Sequence, residues 1–314
     1  MRKLLAVLMI LALLPLYALA EDAAPAEESA NALPFDFTVP PEPAAENFTE
    51  MGYEDETLTV EMYREWFGNA HFNVAHVKIT DPSQLRTALA NPNNLNKTDH
   101  VSTISRNNNA VVAIGGDFFV KDKYGYVVRM TEEFRKKPVK ARDMLITDEN
   151  GDMHIILDSD ADQLKTMMDT HTLVNVFNFG PALVVDGFLQ EIDPKYVLGN
   201  VTGKEPRCAI GQLGPMEYLL VVVDGGEGRT VTITNPDGST KKSGGCTVAM
   251  LAEFMFSKGC VTAYNLDGGN SALMFFNDAN FSKKSEKAER DVSDIIYFCT
   301  TIMPEESTEE TTEE

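Results

Sequence analysis

Short apolar runs of strand length, each closed by a turn rich in Gly, Asn, Asp or Pro, recur through most of the chain and set its fold class. Ala110–Ile114 is a continuous apolar run stopped by Gly115-Gly116, the pattern of a buried strand. Met144–Thr147 and Asp152–Leu157 flank Asp148-Glu149-Asn150-Gly151, and Cys208–Gln212 and Glu217–Val223 flank Gly214-Pro215. Both pairs predict hairpins. A third hairpin starts at Thr230–Thr234 and turns at Asn235-Pro236-Asp237-Gly238. Leu173–Phe177, Ala182–Val185, Val261–Leu266, Leu273–Phe276 and Asp294–Ile302 read as further strands, and Ala75, Val77 and Ile79 alternate as a half-buried one.

Helices are fewer. Val248, Leu251, Ala252 and Met255 repeat at i, i+3, i+4 and i+7, with Gly259 placed to end the helix. Asp160–Thr170 is a shorter helical stretch, and residues 91–109 read as loop with some short helix. Asp81-Pro82, an N-cap followed by proline at the first helical position, predicts another helix carrying Leu85 and Leu89 on one face. Many hairpin-linked strands with a few helices predict an α+β domain. Its core is a mixed, largely antiparallel sheet with helices packed against it. Residues 51–303 are long enough for one large domain with a full hydrophobic centre.

The ends have a different composition. Arg2 and Lys3, the apolar run Leu4–Leu19 and the small-residue pattern Ala18-Leu19-Ala20 predict a signal peptide over 1–20, cleaved after Ala20. Pro15 and the shortness of the run argue against a stable membrane anchor. Residues 21–50 carry eight acidic residues and no basic ones, and 304–314 carry six glutamates. Both segments read as unfolded, a linker and a tail, because they offer little apolar surface to offset ordering. They supply much of the net charge of −21. The core is only moderately acidic, and with no basic stripe it is not a nucleic-acid binder. The expectation is a secreted, extracellular protein.

The four cysteines, Cys208, Cys246, Cys260 and Cys299, form no CxxC pair, and a domain of this size needs no disulfide. They are read as buried free thiols. The five histidines, His71, His76, His100, His154 and His171, show no metal-ligand spacing and receive no role. No cofactor is implied; a divalent metal held by Asp residues stays open, although the spacing is not that of an EF-hand loop.

Three strand ends deliver a glycine turn with a carboxylate: Gly115-Gly116-Asp117, Asp224-Gly225-Gly226 and Asp267-Gly268-Gly269. Glycines let backbone N–H groups approach a ligand, and the carboxylate can act as acid, base or nucleophile. Any one of these is equally an ordinary tight turn. Tyr264-Asn265-Leu266-Asp267-Gly268-Gly269-Asn270-Ser271 is more specific, because its polar corner lies between two core strands and so lines a cleft.

Four blocks in order carry a resemblance. They are Ala113-Ile114-Gly115-Gly116-Asp117-Phe118-Phe119, Asn178-Phe179-Gly180-Pro181 continuing to Asp186-Gly187, Pro206-Arg207-Cys208-Ala209-Ile210-Gly211, and Asn265-Leu266-Asp267-Gly268-Gly269. Together they resemble the signature of the phosphodiester glycosidase domain, found in bacterial exported proteins and in the lysosomal uncovering enzyme. The resemblance spans about residues 72–302. It implies hydrolysis of the bond between a sugar's anomeric carbon and a phosphate oxygen, with a carbohydrate or glycosyl-phosphate substrate. It also implies that Arg207, Asp224 and Asp267 surround the substrate, and that Gly115, Gly116, Asp117, Gly180, Gly268, Gly269, Asn270 and Ser271 line its site. Gly115 stands where the family usually has Asn. Gly226 stands where it has Arg, with Arg229 three residues on. The rival expectation is a non-catalytic carbohydrate-binding or surface protein that kept the fold.

These residue types suit the chemistry. A phosphate monoester leaving group, with a second pKa near ~6, needs little protonation to depart. Such a site mainly needs donors for phosphate and one carboxylate to assist attack. Arg207 can grip two phosphate oxygens in a planar fork. Asp267 is the first choice for nucleophile or base, with Asp224 as its partner. Glu253, on the helix before the last block, reads as solvated helix face.

Overall fold

The turn at Asp148–Gly151 forms the hairpin its residues call for. Asp148 Oδ1 accepts the backbone N–H groups of Asn150 and Asp152, both at 2.9 Å, and Gly151 takes a positive φ of 80°. It lies in a computed structural model that describes residues 32–120, 125–198, 200–225, 230–282 and 289–303. The signal peptide over 1–20, residues 21–31 of the linker and the tail 304–314 lie outside the described residues, as do Gly226 and Arg229.

Three sheets make the core. The largest has nine strands. In spatial order they are Phe48–Thr49, Gly52–Glu54, Leu58–Phe67, Ala70–Ile79, Glu217–Asp224, Arg207–Gly214, Thr262–Leu266, Ala182–Val185 and Phe188–Leu189. A five-stranded sheet contains Ala279–Asn280, Met274–Phe276, Val112–Gly115, Asp294–Phe298 and Leu85–Leu89. A second contains Met153–Ile156, Met144–Asp148, Leu173–Phe177, Gly125–Arg129 and Glu132–Lys137. Every ladder between these strands is antiparallel.

One face of the nine-stranded sheet, through Val222, Ile210, Tyr264 and Leu266, packs on Ile114, Ile296 and Phe177 of the other two sheets. Its opposite face, through Phe72, Val221 and Val223, packs on helix Val248–Ser257. There the rings of Phe72 and Phe254 stack at 4.0 Å. The helix starts at Thr247, whose hydroxyl accepts the Met250 N–H at 3.1 Å. This is an α+β domain. All four cysteines are buried and free.

Two expectations are corrected. Asp81 and Pro82 do start a helical turn with a capping box, but it ends after Pro82–Gln84, and Leu85–Leu89 is a strand with every residue buried. Positions i and i+4 share a face on a strand as well as on a helix, so the Leu85–Leu89 spacing does not discriminate. The linker also stops short of its expected length, because residues 32–50 join the fold. The buried Arg86 guanidinium donates to the carbonyls of Pro34, Asp36 and Thr38 at 3.1, 2.6 and 3.1 Å. Leu33 N–H donates to Ser83 Oγ at 3.0 Å. Phe48 packs edge-on against Tyr53 and Phe276. Acidic composition hid a segment that supplies acceptors to a buried cation.

Candidate active site

Three adjacent strands of the large sheet have neighbouring ends: one starts at Arg207, one finishes at Asp224 and one finishes at Leu266, just before Asp267. Arg207 pairs with Val223, and Cys208 pairs with both Val222 and Leu266. That register sets Asp224, Arg207 and Asp267 side by side at those ends. The next strand out begins at the Gly180-Pro181 bond, which is cis. It is tied in by Asn265, whose N–H donates to the Pro181 carbonyl at 3.1 Å and whose Nδ2 donates to the Gly180 carbonyl at 2.7 Å. Gly115, Gly116 and Asp117 arrive from the five-stranded sheet, and Asp267 N–H donates to Gly116 O at 3.1 Å.

Two of the glycines are needed because neighbouring atoms fill the space a Cβ would take. A Cβ on Gly116 would lie 2.5 Å from Asp294 Oδ1, and one on Gly268 would lie 2.7 Å from the Pro206 carbonyl oxygen. After Gly268 the chain makes one tight turn, Gly269–Ser271. Gly269 N–H donates to Pro206 O at 2.8 Å, which fastens the turn to the Arg207 strand.

Asp267 is 8% exposed, and its Oδ2 has no hydrogen-bond partner among the described residues. Ser271 Oγ is buried beside the carboxyl and is the hydroxyl placed to hydrogen-bond it. Burial pushes the Asp267 carboxyl up to about 7; a hydrogen bond from Ser271 and the Arg290 charge pull it down, while the nearby Asp117 and Asp294 charges push it further up. A carboxyl so placed changes charge near neutral pH, as a general acid or base must.

Beneath it lies an ion cluster that sequence reasoning missed. Arg129 Nε donates to Asp294 Oδ2 at 2.6 Å, and its Nη2 lies 3.7 Å from Asp117 Oδ2. Arg129 Nη1 donates to the Val128 and Val176 carbonyls, and the guanidinium lies 4.0 Å over the Phe177 ring. Asp294 Oδ1 accepts Asp117 N–H at 2.7 Å, and Asp117 accepts the N–H groups of Phe118 and Asn178. Burial pushes Asp294 up to about 6 despite Arg129. The cluster holds the Gly115–Asp117 turn rigidly against the Asp267 turn. Arg290, 5.1 Å over the Phe118 ring, is a second cation close to Asp267.

The other two candidates are each engaged by partners of their own. Arg207 Nε donates to Cys246 O at 3.0 Å, and its Nη2 donates to the carbonyls of Asn200 and Gly203, both at 2.8 Å. It therefore pins two loops, and only Nη1 stays outside that set. Asp224 Oδ2 lies 2.7 Å from His71 Nδ1. Ser243 completes this corner, donating to the Asp224 carbonyl and accepting His71 N–H. His71 sits on the strand flanking Asp224 on the side away from Arg207 and holds the Asp224 carboxylate there. Asn270 lies in the turn beside Ser271, and Glu253 is exposed on its helix.

The sequence model of the phosphodiester glycosidase family matches residues 108–299, well over half of the chain. No curated protein sequence matches it. Among solved structures, the catalytic domain of zebrafish N-acetylglucosamine-1-phosphodiester alpha-N-acetylglucosaminidase, auto-inhibited by its pro-peptide, is similar, with a TM-score of 0.60 and 14% identity over 79% of this chain and 85% of that one. A hypothetical protein from Synechocystis is similar with a TM-score of 0.51 and 15% identity, over 77% of this chain and 62% of that one. At these identities the likeness is one of fold.

Proposed function

The chain belongs to the phosphodiester glycosidase family, and from that premise we propose that it hydrolyses the bond between a sugar's anomeric carbon and the phosphate of a glycosyl phosphodiester. The observation that supports this reading is Asp267, a buried carboxyl pushed up to about 7, with one oxygen unclaimed among the described residues. In the proposed reaction, Asp267 takes a proton from the water that attacks the anomeric carbon. The C–O bond to phosphate breaks, and its electrons leave with a phosphate monoester that needs no further proton. Arg207 Nη1 and the glycine turns at 115–116 and 268–269 would receive the phosphate. Asp224, held by His71, would complete the sugar side of the site.

The signal-peptide pattern over 1–20 supports export, which suits a substrate in cell-wall, capsular or host glycans. Turnover of a chromogenic sugar-1-phosphodiester by the purified chain tests the reading, with Asp267→Asn as the paired control. Sugar release that drops at least a hundredfold in the variant is the expected result. Sugar binding without turnover in the wild type would instead favour a non-catalytic binding protein.

A further inference from the structure

Outside the candidate active site, three potential metal ligands converge at the far end of the second five-stranded sheet. Asp148 ends one strand, His154 lies on the strand paired with it, and His171 follows helix Ala161–Thr170. One ligand atom from each lies within 4.8 Å of the other two. His154 Nε2 lies 2.9 Å and His171 Nε2 3.8 Å from the same oxygen, Asp148 Oδ2. Tetrahedral zinc with bonds of ~2.0–2.1 Å sets its ligand atoms roughly 3.3 Å apart, between the two observed separations.

The surroundings fix these atoms. Asp148 is buried, and its Oδ1 already accepts two backbone N–H groups, so Oδ2 is the oxygen left to a ligand. His171 Nδ1 lies 3.0 Å from Thr170 Oγ1, and that hydroxyl has the Thr166 carbonyl as its nearer acceptor at 2.8 Å, with the Met167 carbonyl at 3.4 Å. With the hydroxyl donating to that carbonyl, Thr170 accepts from His171, and the imidazole proton then sits on Nδ1. In that tautomer His171 Nε2 turns a lone pair toward Asp148 Oδ2, and a cation between them would satisfy both. A hydrogen bond on the outer nitrogen of a histidine is the usual device for aiming the inner one at a metal. The two imidazole side chains are 32% and 31% exposed, which gives an ion a path in and leaves a fourth position for water.

We propose that Asp148, His154 and His171 form a site for a divalent transition metal, zinc in the first instance, which clamps the 144–156 hairpin to the end of helix Ala161–Thr170. Two nitrogens and one carboxylate oxygen suit zinc or cobalt better than calcium or magnesium, which take oxygen sets.

Calorimetric titration of the chelator-treated full chain with zinc, paired with visible spectra on adding Co²⁺, tests this. The expected result is one ion per chain, a tetrahedral cobalt spectrum, and a melting temperature raised by roughly 5 °C at a hundredfold excess of zinc over its dissociation constant. His154→Ala and His171→Ala should each weaken binding at least a hundredfold, and Thr170→Val about tenfold or more. His76→Ala, whose imidazole pairs with Glu217 on another strand pair, should bind as the wild type does. Circular dichroism shows whether each variant is folded, and the two histidine variants check one another. No zinc binding at micromolar concentration, preference for calcium, or unchanged binding in both His154→Ala and His171→Ala would overturn the proposal and leave a proton-bridged cluster.

Discussion

The backbone N–H of Asp267 donates to the carbonyl oxygen of Gly116 at 3.1 Å, and through that bond the ends of two different sheets meet. Strand Thr262–Leu266 belongs to the nine-stranded sheet and Val112–Gly115 to a five-stranded one. Glycines flank the junction: Gly116 leaves room for the Asp294 carboxylate, and Gly268 lets the turn lie against the Pro206 backbone. The carboxyl of Asp267 sits at the junction with the Asp117–Arg129–Asp294 cluster beneath it.

Asp267→Asn should lower turnover by about 10²–10⁴-fold with the Michaelis constant little changed, since the amide keeps the shape but not the basicity. The wild-type rate should rise with pH through about 7, where the carboxyl ionises. A pH-rate profile for both proteins checks this. A variant as active as wild type would move the chemistry to another carboxylate, Asp224 first.

The same substitution should stabilise the fold at neutral pH. The folded carboxyl keeps its proton to about 7, whereas an unfolded one loses it near ~4. Between those values the native state binds more protons, so this group's contribution falls as pH rises through the window and is flat above it. Asp267→Asn removes that fall, by an amount on the order of a few kcal/mol. Chemical denaturation at pH 5 and pH 8 should show a larger gain at pH 8. Equal gains at both would place the carboxyl's titration elsewhere.

Arg129→Met should destabilise by about 3–5 kcal/mol, because Asp294 and Asp117 would be left buried without their cation. Urea unfolding measures the loss. Arg129→Met with Asp294→Asn should recover much of it, and a double variant no better than the single would mean the pair is not coupled.

Much of the fold and part of the site could be read before the structure. The turns at Gly115–Asp117 and Asp267–Gly269 stood out because each interrupts a core strand with residues a core would not otherwise hold. The hairpins and the Val248–Ser257 helix followed from local periodicity. What stayed hidden was set by distant partners. Arg129 lies in an ordinary apolar stretch, Asp294 reads as the start of a strand, and the ion pair joins two different sheets. His71 lies far along the chain from Asp224 and meets it only through strand register. His154 and His171 come together only when helix Ala161–Thr170 folds back, so their spacing carries no metal signature.

Arg207 should show two separable roles. Three of its N–H groups hold the Asn200, Gly203 and Cys246 carbonyls, so Arg207→Ala should cost roughly 2–4 kcal/mol of stability. Arg207→Lys keeps the charge but cannot fork to several carbonyls and a phosphate at once. It should lose less stability and still turn over a glycosyl phosphodiester roughly 30-fold or more slowly. Melting curves and initial rates on the two variants test this. Wild-type turnover in a folded Arg207→Lys protein would make Arg207 a loop pin alone.

The acidic N-terminal segment gives the last prediction, and here the structure reverses the expectation from composition. Deleting residues 32–44 removes the Pro34, Asp36 and Thr38 carbonyls and leaves the buried Arg86 guanidinium with the Ser83 carbonyl and the Tyr297 hydroxyl. Losing several charge-assisted acceptors at a buried cation should cost about 3 kcal/mol or more, enough to lower the melting temperature by several degrees. Arg86→Met in the truncated chain should restore part of that loss, because an apolar side chain needs no acceptors. Differential scanning calorimetry on the full chain, the truncation and the truncation with Arg86→Met separates the outcomes. A truncation that melts with the full chain would show that water replaces the lost carbonyls without cost.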